Sequence, residues 1–297
     1  MLLSIKSPDL DATISDAGAE LVRLQDGEGR DLLWSGDAAF WSGHAPLLFP
    51  IVGSANKDRV KISGQTYPIS RHGFARTAKF DRTAQSAGHA SWRLVSTDST
   101  RLHYPYEFVL DVTYRIVDRT LSIRAEVTNV DDRSMPVSFG FHPAFRWPLP
   151  FGQPRAAHEI AFDRPEPSPV RRLDRGLLSP VRHTTPVEGN RLVLEDGLFT
   201  DDALIFDTLV SRRLTYGAGV APKIEIEFPD MPYLGIWSKP GAGFVCIEPW
   251  QGFADPVDFD GELSQKPGMI SVSPGSTAVF AISIRLTPPE RPEPPRS

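Results

Sequence analysis

The stretch Gly140-Phe141-His142-Pro143-Ala144-Phe145 closes a long alternating run, Glu107 to Phe139, with a histidine, a helix-breaking proline and aromatics. His142 therefore falls where a strand ends and the backbone turns. An imidazole held there titrates near neutral pH on a rigid support, which suits a proton donor or acceptor. Two further stretches carry matching chemistry: Arg71-His72-Gly73-Phe74-Ala75-Arg76 upstream and Cys246-Ile247-Glu248-Pro249-Trp250 downstream. Glu248 follows the apolar Phe244-Val245-Cys246-Ile247, and an unpaired charge at the end of such a strand is costly. It must be hydrogen-bonded, ion-paired or functional.

An acid, a base and an aromatic platform are what sugar chemistry needs. Trp237, Trp250 and Phe74 could stack on a pyranose face, although tryptophans in β-sandwiches more often serve the core. Asp201-Asp202, ahead of the apolar Ala203–Phe206, offers carboxylates that could accept sugar hydroxyls, or that cap a turn. Alternate residues of a strand face opposite sides, so only one of the two can face a site, and the sequence does not choose. Of the remaining histidines, His89, His103, His158 and His183 sit among polar residues and read as surface, and His44 reads as structural.

The whole chain excludes several other chemistries. A single cysteine, Cys246, rules out an intramolecular disulfide and cannot by itself make a thiolate metal site. No histidine pair, calcium loop, phosphate loop or dinucleotide glycine motif is present, so no metal and no cofactor is expected. A net charge of -5 argues against nucleic acid as a partner. The N-terminus lacks a charged segment leading into an apolar core, and no run approaches the roughly 18 apolar residues of a membrane span. A cytoplasmic protein acting on a small molecule, with no membrane or nucleic-acid partner and present as a monomer or homodimer, is expected.

The elements that must position these residues are strands. Pro and Gly, 28 and 23 among 297 residues, fall at short intervals and leave runs of strand length. Strands are predicted around Leu2–Lys6, Asp11–Ser15, Glu20–Gln25 and Asp31–Trp34, with one helical turn at Gly36–Trp41 capped by Asp37. A hairpin follows, Arg59–Ser63 with Thr66–Ile69 across Gly64-Gln65. Phe108, Leu110, Val112, Tyr114 and Ile116, then Leu121, Ile123, Ala125 and Val127, give the strongest period of two, and Met135–Phe141 is read as a third strand. Between Trp147 and Arg191 only Glu159–Phe162 reads as strand, the rest as a long decorated connection. Strands resume at Ala203–Phe206, Lys223–Phe228, Tyr233–Ser238, Gly243–Ile247, Gly268–Val272 and Thr277–Leu286. Some fifteen to twenty antiparallel strands with little helix must stack as two large sheets: an all-β sandwich filling residues 1–287, followed by a Pro-rich disordered tail over 288–297.

The ordered set Gly18-Ala19-Glu20-Leu21, Leu47-Leu48-Phe49-Pro50-Ile51-Val52-Gly53, His72-Gly73-Phe74-Ala75-Arg76, Gly140–Phe145, Asp202-Ala203-Leu204-Ile205-Phe206 and Cys246–Gly252 resembles the aldose 1-epimerases (mutarotases), and among them the LacX-like branch. The resemblance spans roughly residues 10–285. It implies a galactose mutarotase-like β-sandwich and a cofactor-free interconversion of α and β anomers of an aldose. On this resemblance Glu248 would be the general base at the anomeric hydroxyl and His142 the general acid at the ring oxygen. His72 would hydrogen-bond near the ring oxygen, Arg71 or Arg76 would orient hydroxyls or Glu248, and an aspartate, Asp201 or Asp202, would bind sugar. Two departures touch the expected sugar-facing rim: Gly53-Ser54 where relatives often have Gly-Arg, and Arg146 after the His142 motif.

Competing readings are a non-catalytic carbohydrate-binding protein on the same scaffold, which would not need both His142 and Glu248, and a glycoside hydrolase, which needs two carboxylates at a fixed separation. A variant of the leading reading is a sugar-phosphate mutarotase, with Arg71, Arg76, Arg146 or Lys239 on the phosphate.

Overall fold

The strongest alternating segments become the longest strands. In a computed structural model describing residues 1–290, Phe108–Val117 and Thr120–Asn129 pair antiparallel across the Asp118-Arg119 turn, and Thr277–Leu286 pairs with the far side of Thr120–Asn129. Phe108, Leu110, Val112, Tyr114 and Ile116 are buried, while the residues between them are partly or fully exposed. These strands sit within a nine-stranded antiparallel sheet.

An eight-stranded sheet packs against it. Its order runs Leu177–His183, Val170–Asp174, Leu204–Phe206, Tyr233–Trp237, Phe244–Gln251, Phe139–Phe141 and Leu47–Leu48, with Ala144–Arg146 also pairing with Phe244–Gln251. The facing apolar sides merge into one core reaching from Ile5 to Leu286. Phe139 of the second sheet stacks on Phe280 of the first, with ring centroids 4.9 Å apart. Truncating either ring to alanine would cost about 3–5 kcal/mol by leaving a cavity. No helix among the described residues is long and apolar enough to cross a membrane.

Several expectations shift by local physics. The first hairpin turns at Ser63-Gly64, one residue earlier than predicted, because both residues take the positive φ of a type I′ turn (51° and 76°) and Ile62 faces Gln65. Met135–Phe141 is two strands: Met135–Val137 pairs with Ile270–Val272, and Phe139–Phe141 joins the eight-stranded sheet. Asp31–Trp34 forms only isolated bridges, to Gln25 and Phe145. The connection after Trp147 holds an unpredicted hairpin, Val170–Asp174 with Leu177–His183, turning at Arg175-Gly176 with φ of 51° and 85°. Of the expected tail, Glu290 is tied down by its N–H to the Val220 carbonyl and by an ion pair to Lys223 at 2.6 Å. Residues 291–297 lie outside the described residues.

Candidate active site

The strand Phe244–Gln251 is buried along nearly its whole length, but its two faces do different things. Val245 and Ile247 enter the main core, whereas Cys246, Glu248 and Trp250 point to the opposite side of the sheet. The same alternation sends Leu204 and Phe206 inward and Ile205 outward, and Ile236 inward and Trp237 outward. Of these outward residues Glu248, Trp250, Ile205 and Trp237 line a cavity of ≈ 250 Å³ together with Trp41, Arg71, His72, Arg76, His142, Leu173 and Asp202, while Cys246 packs beside it among Trp34, Ala144, Ala242 and Phe244.

Trp250 makes the floor. A Cβ on Gly235 would stand 2.3 Å from its indole and one on Gly140 2.7 Å away, so glycines on the two flanking strands let the ring lie flat on the sheet. His142 follows Phe139–Phe141 directly, where Pro143 interrupts the ladder before Ala144–Arg146 resumes pairing. That break turns the imidazole toward Glu248: His142 Nε2 lies 3.1 Å from Glu248 Oε2. The two residues are 8% and 2% exposed.

Burial disfavours the charged form of both partners. It drives the His142 pKa down to about 3 and pushes the Glu248 carboxyl well above its ordinary value; Arg71 opposes and Asp202 reinforces the latter shift. Both shifts favour the uncharged forms, a protonated Glu248 beside a neutral His142, and moving that proton along the 3.1 Å contact converts the neutral acid–imidazole pair into carboxylate and imidazolium.

The loop wall is built differently. Phe49-Pro50 carries a cis peptide bond and Gly73 packs so closely on Phe49 that a Cβ would fall 2.1 Å from the Phe49 carbonyl oxygen. His72 is held at φ 66°, a left-handed conformation uncommon for a side-chain-bearing residue. Its N–H donates to the Gly53 carbonyl at 2.8 Å, and the Gly53 N–H donates to His72 Nδ1 at 3.1 Å. With Nδ1 accepting, the neutral ring carries its proton on Nε2 and is a donor there. Arg71 Nε stands 3.3 Å from that nitrogen, which sets two donors face to face, so the exposed Arg71 side chain is the one free to yield. Burial, then the charges of His142, Arg71, Arg76 and Lys266, hold His72 well below its ordinary pKa and therefore neutral.

A family model described as aldose 1-epimerase matches residues 1–267. The chain belongs to the aldose 1-epimerase family. It is 29% identical to the plasmid-encoded protein LacX of Lactococcus lactis subsp. lactis, covering 96% of this chain and 99% of that one. A solved structure of a galactose mutarotase related enzyme from Lactobacillus acidophilus matches with TM-score 0.91 and 30% identity over 98% of both chains. A galactose mutarotase-like protein from Lactobacillus casei matches with TM-score 0.89 and 31% identity, over 97% of this chain and 100% of that one. The galactose mutarotase-like β-sandwich read from the sequence is thus the fold of this aldose 1-epimerase family member, and family membership makes it an isomerase-type protein.

Of the site residues expected from sequence, the cavity brings together His142, Glu248, His72, Arg71, Arg76, Asp202, Trp237 and Trp250. Asp201 is exposed and not among the lining residues. The strand here begins only at Leu204; Asp202 turns at φ 66°, with its carboxylate accepting the Ala203 N–H at 2.8 Å, so a turn rather than strand alternation separates the two aspartates. Arg146 and Lys239 also lie away from the cavity: Arg146 is exposed at the end of its strand, and Lys239 reaches the Phe40 carbonyl.

Trp41 was not foreseen. Its ring stacks on His142 with centroids 5.1 Å apart and meets Trp237 edge-on at 5.7 Å. It is held by the Asp37 turn, whose carbonyl accepts the Phe40 and Trp41 N–H groups, and by the Trp34 indole N–H donating to the Trp41 carbonyl at 2.8 Å. The sequence does carry a signal: the expected Asp37-capped turn ends on this tryptophan, and Gly43 follows because a Cβ there would press 2.4 Å into its ring. Leu173 arrives on the unpredicted hairpin.

Proposed function

We propose that this protein is a mutarotase that interconverts the α and β anomers of an aldose, with Glu248 as general base and His142 as general acid. The observation that carries the reading is the 3.1 Å separation of His142 Nε2 and Glu248 Oε2 at the floor of the cavity. The anomeric oxygen and the ring oxygen are bonded to the same carbon, so an acceptor and a donor this close can address both oxygens of one hemiacetal.

In the forward step Glu248, as carboxylate, takes the proton of the anomeric hydroxyl while imidazolium His142 gives its proton to the ring oxygen. The C1–O5 bond breaks and the aldehyde forms. Rotation about C1–C2 presents the other carbonyl face, and closure returns both protons. The pair carries one proton after each half-reaction, as it does at rest. Because mutarotation already proceeds in water, a positioned acid and base contributing roughly 10²–10⁴-fold each suffice. His72 Nε2–H and Asp202 supply a donor and an acceptor for sugar oxygens, and Trp41, Trp237 and Trp250 supply apolar surface for the ring face.

Polarimetry on freshly dissolved α-glucose or α-galactose tests this reading. Mutarotation should outpace buffer in proportion to protein added; equal rates with and without protein across a panel of aldoses would overturn the free-aldose reading. One observation favours a second reading, a sugar-phosphate mutarotase: Arg71 and Arg76 both line the cavity, and neither guanidinium is salt-bridged among the described residues. A higher kcat/KM for glucose 6-phosphate than for glucose would select it.

A further inference from the structure

The proposed acid–base pair has a neighbour that proton transfer does not use. Cys246, the chain's single cysteine, is fully buried two residues before Glu248, on the same face of the same strand. One ligand-capable atom from each of His142, Cys246 and Glu248 lies within 4.8 Å of those of the other two. The other imidazole nitrogen, His142 Nδ1, is buried without a hydrogen-bond partner, so nothing on that side locks the ring's protonation.

Sulfur, imidazole nitrogen and carboxylate oxygen are the donor set of tetrahedral zinc, which binds nitrogen and oxygen at about 2.0–2.1 Å and sulfur at about 2.3 Å. Two such nitrogen and oxygen ligands on one tetrahedral ion stand roughly 3.3 Å apart by that geometry. His142 Nε2 and Glu248 Oε2, at 3.1 Å, already have this bite. The sulfur lies within 4.8 Å of both, so it must close in by at most roughly 1.2 Å to reach the spacing of about 3.6 Å that these bond lengths require. A divalent ion held by a thiolate and a carboxylate is electrically neutral overall, which a buried site demands. The donor set suits neither calcium nor magnesium, which take six or more ligands, nearly all oxygen. His142 and Glu248 line the cavity, so an ion reaches these two ligands from that side.

We propose that His142, Cys246 and Glu248 form a site for Zn²⁺ or a similar thiophilic divalent ion, and that its occupation switches off the enzyme. The ion takes the lone pairs of the imidazole and the carboxylate that proton transfer requires. It displaces two protons to solvent, the one shared by the pair and the one on the thiol. The inhibition half of the proposal rests on the mutarotase reading; the binding half does not. The contrasting state of affairs is a core thiol only, since Cys246 also packs among Trp34, Ala144, Ala242 and Phe244.

The full chain, stripped with EDTA, is titrated with Co²⁺ as a spectroscopic substitute for zinc. One equivalent should produce a thiolate-to-cobalt charge-transfer band, Zn²⁺ should bleach it, and Cys246→Ser and Cys246→Ala should lack it. In polarimetry, micromolar Zn²⁺ should stop the wild-type reaction and excess sugar should protect. Without metal the Cys246 variants should turn over like wild type, and losing this ligand should raise the zinc needed for inhibition at least about tenfold. Absence of the wild-type band, or equal zinc inhibition in wild type and Cys246→Ala, overturns the site. Should both variants misfold, the wild-type cobalt titration still decides. A cobalt band in a chain with no mutarotase activity would instead sink the function proposed above and leave the metal site standing.

Discussion

The two walls of the cavity solve the same problem in opposite ways. The sheet wall sets Glu248 on a central strand and His142 at the break between two short strands that both pair with it, nearly sealed from water and with the uncharged forms of both favoured. The loop wall sets His72 on strained backbone between two arginines, one exposed and one half-buried, and fixes its tautomer by a backbone N–H. Strands hold reacting groups to a fraction of an ångström because many ladder bonds must shift before a side chain can. A loop can yield, as Arg71 must if a sugar oxygen is to reach His72 Nε2. The difference assigns chemistry to the sheet and recognition to the loop.

Mutations on the two walls should therefore differ in kind. Glu248→Gln and His142→Asn keep shape and remove proton transfer, so each should lower kcat by about 10²–10⁴-fold with an unchanged circular dichroism spectrum; near wild-type turnover in either would dissolve the distinction. On the loop side, His72→Ala strands a buried Gly53 N–H, which should cost about 1–3 kcal/mol of stability in denaturant melts. Arg76→Met should raise KM several-fold, with kcat changed less than by either sheet-wall mutation. If kcat falls as far as in Glu248→Gln, the arginine belongs with the chemistry.

The smallest expected effect is one of pH. An ordinary histidine acid would lose half its activity as pH rises through about 6.5. Here the lowered His142 value and the raised Glu248 value should keep a single proton on the pair through that point. A second proton joins only as pH falls toward about 3, the lowered His142 value, and removes the base. The single proton leaves only as pH rises past the raised value of Glu248, and its loss removes the acid. The kcat profile should be flat across roughly pH 5–7; a limb centred near the ordinary histidine value would mean that the pair is not coupled.

What the sequence made legible follows the same division. His142 and Glu248 stood out because a titratable group at the end of an apolar alternating strand has few innocent explanations. Trp250 was legible as an aromatic, but its place on the floor depends on Gly140 and Gly235 of neighbouring strands, a relation visible only once the register is known. Asp201 and Asp202 could not be told apart because a turn, not a strand, orients them. The Val170–His183 hairpin escaped because its arginines and proline mask the period of two; the Arg175-Gly176 pair was its only local mark. Trp41 is brought to His142 by tertiary packing across about a hundred residues of chain, which no local spacing encodes.

The aromatic lining also makes the molecule its own reporter. Three of its six tryptophans, Trp41, Trp237 and Trp250, border the cavity, so ultraviolet-excited emission samples that one place disproportionately. Filling the cavity with a sugar changes the polarity around half of the indoles at once. Occupancy should then be readable as a wavelength shift or quench without label or coupled assay, and Trp41→Phe, which keeps a ring over His142, should remove the part of that signal that arises beside the imidazole.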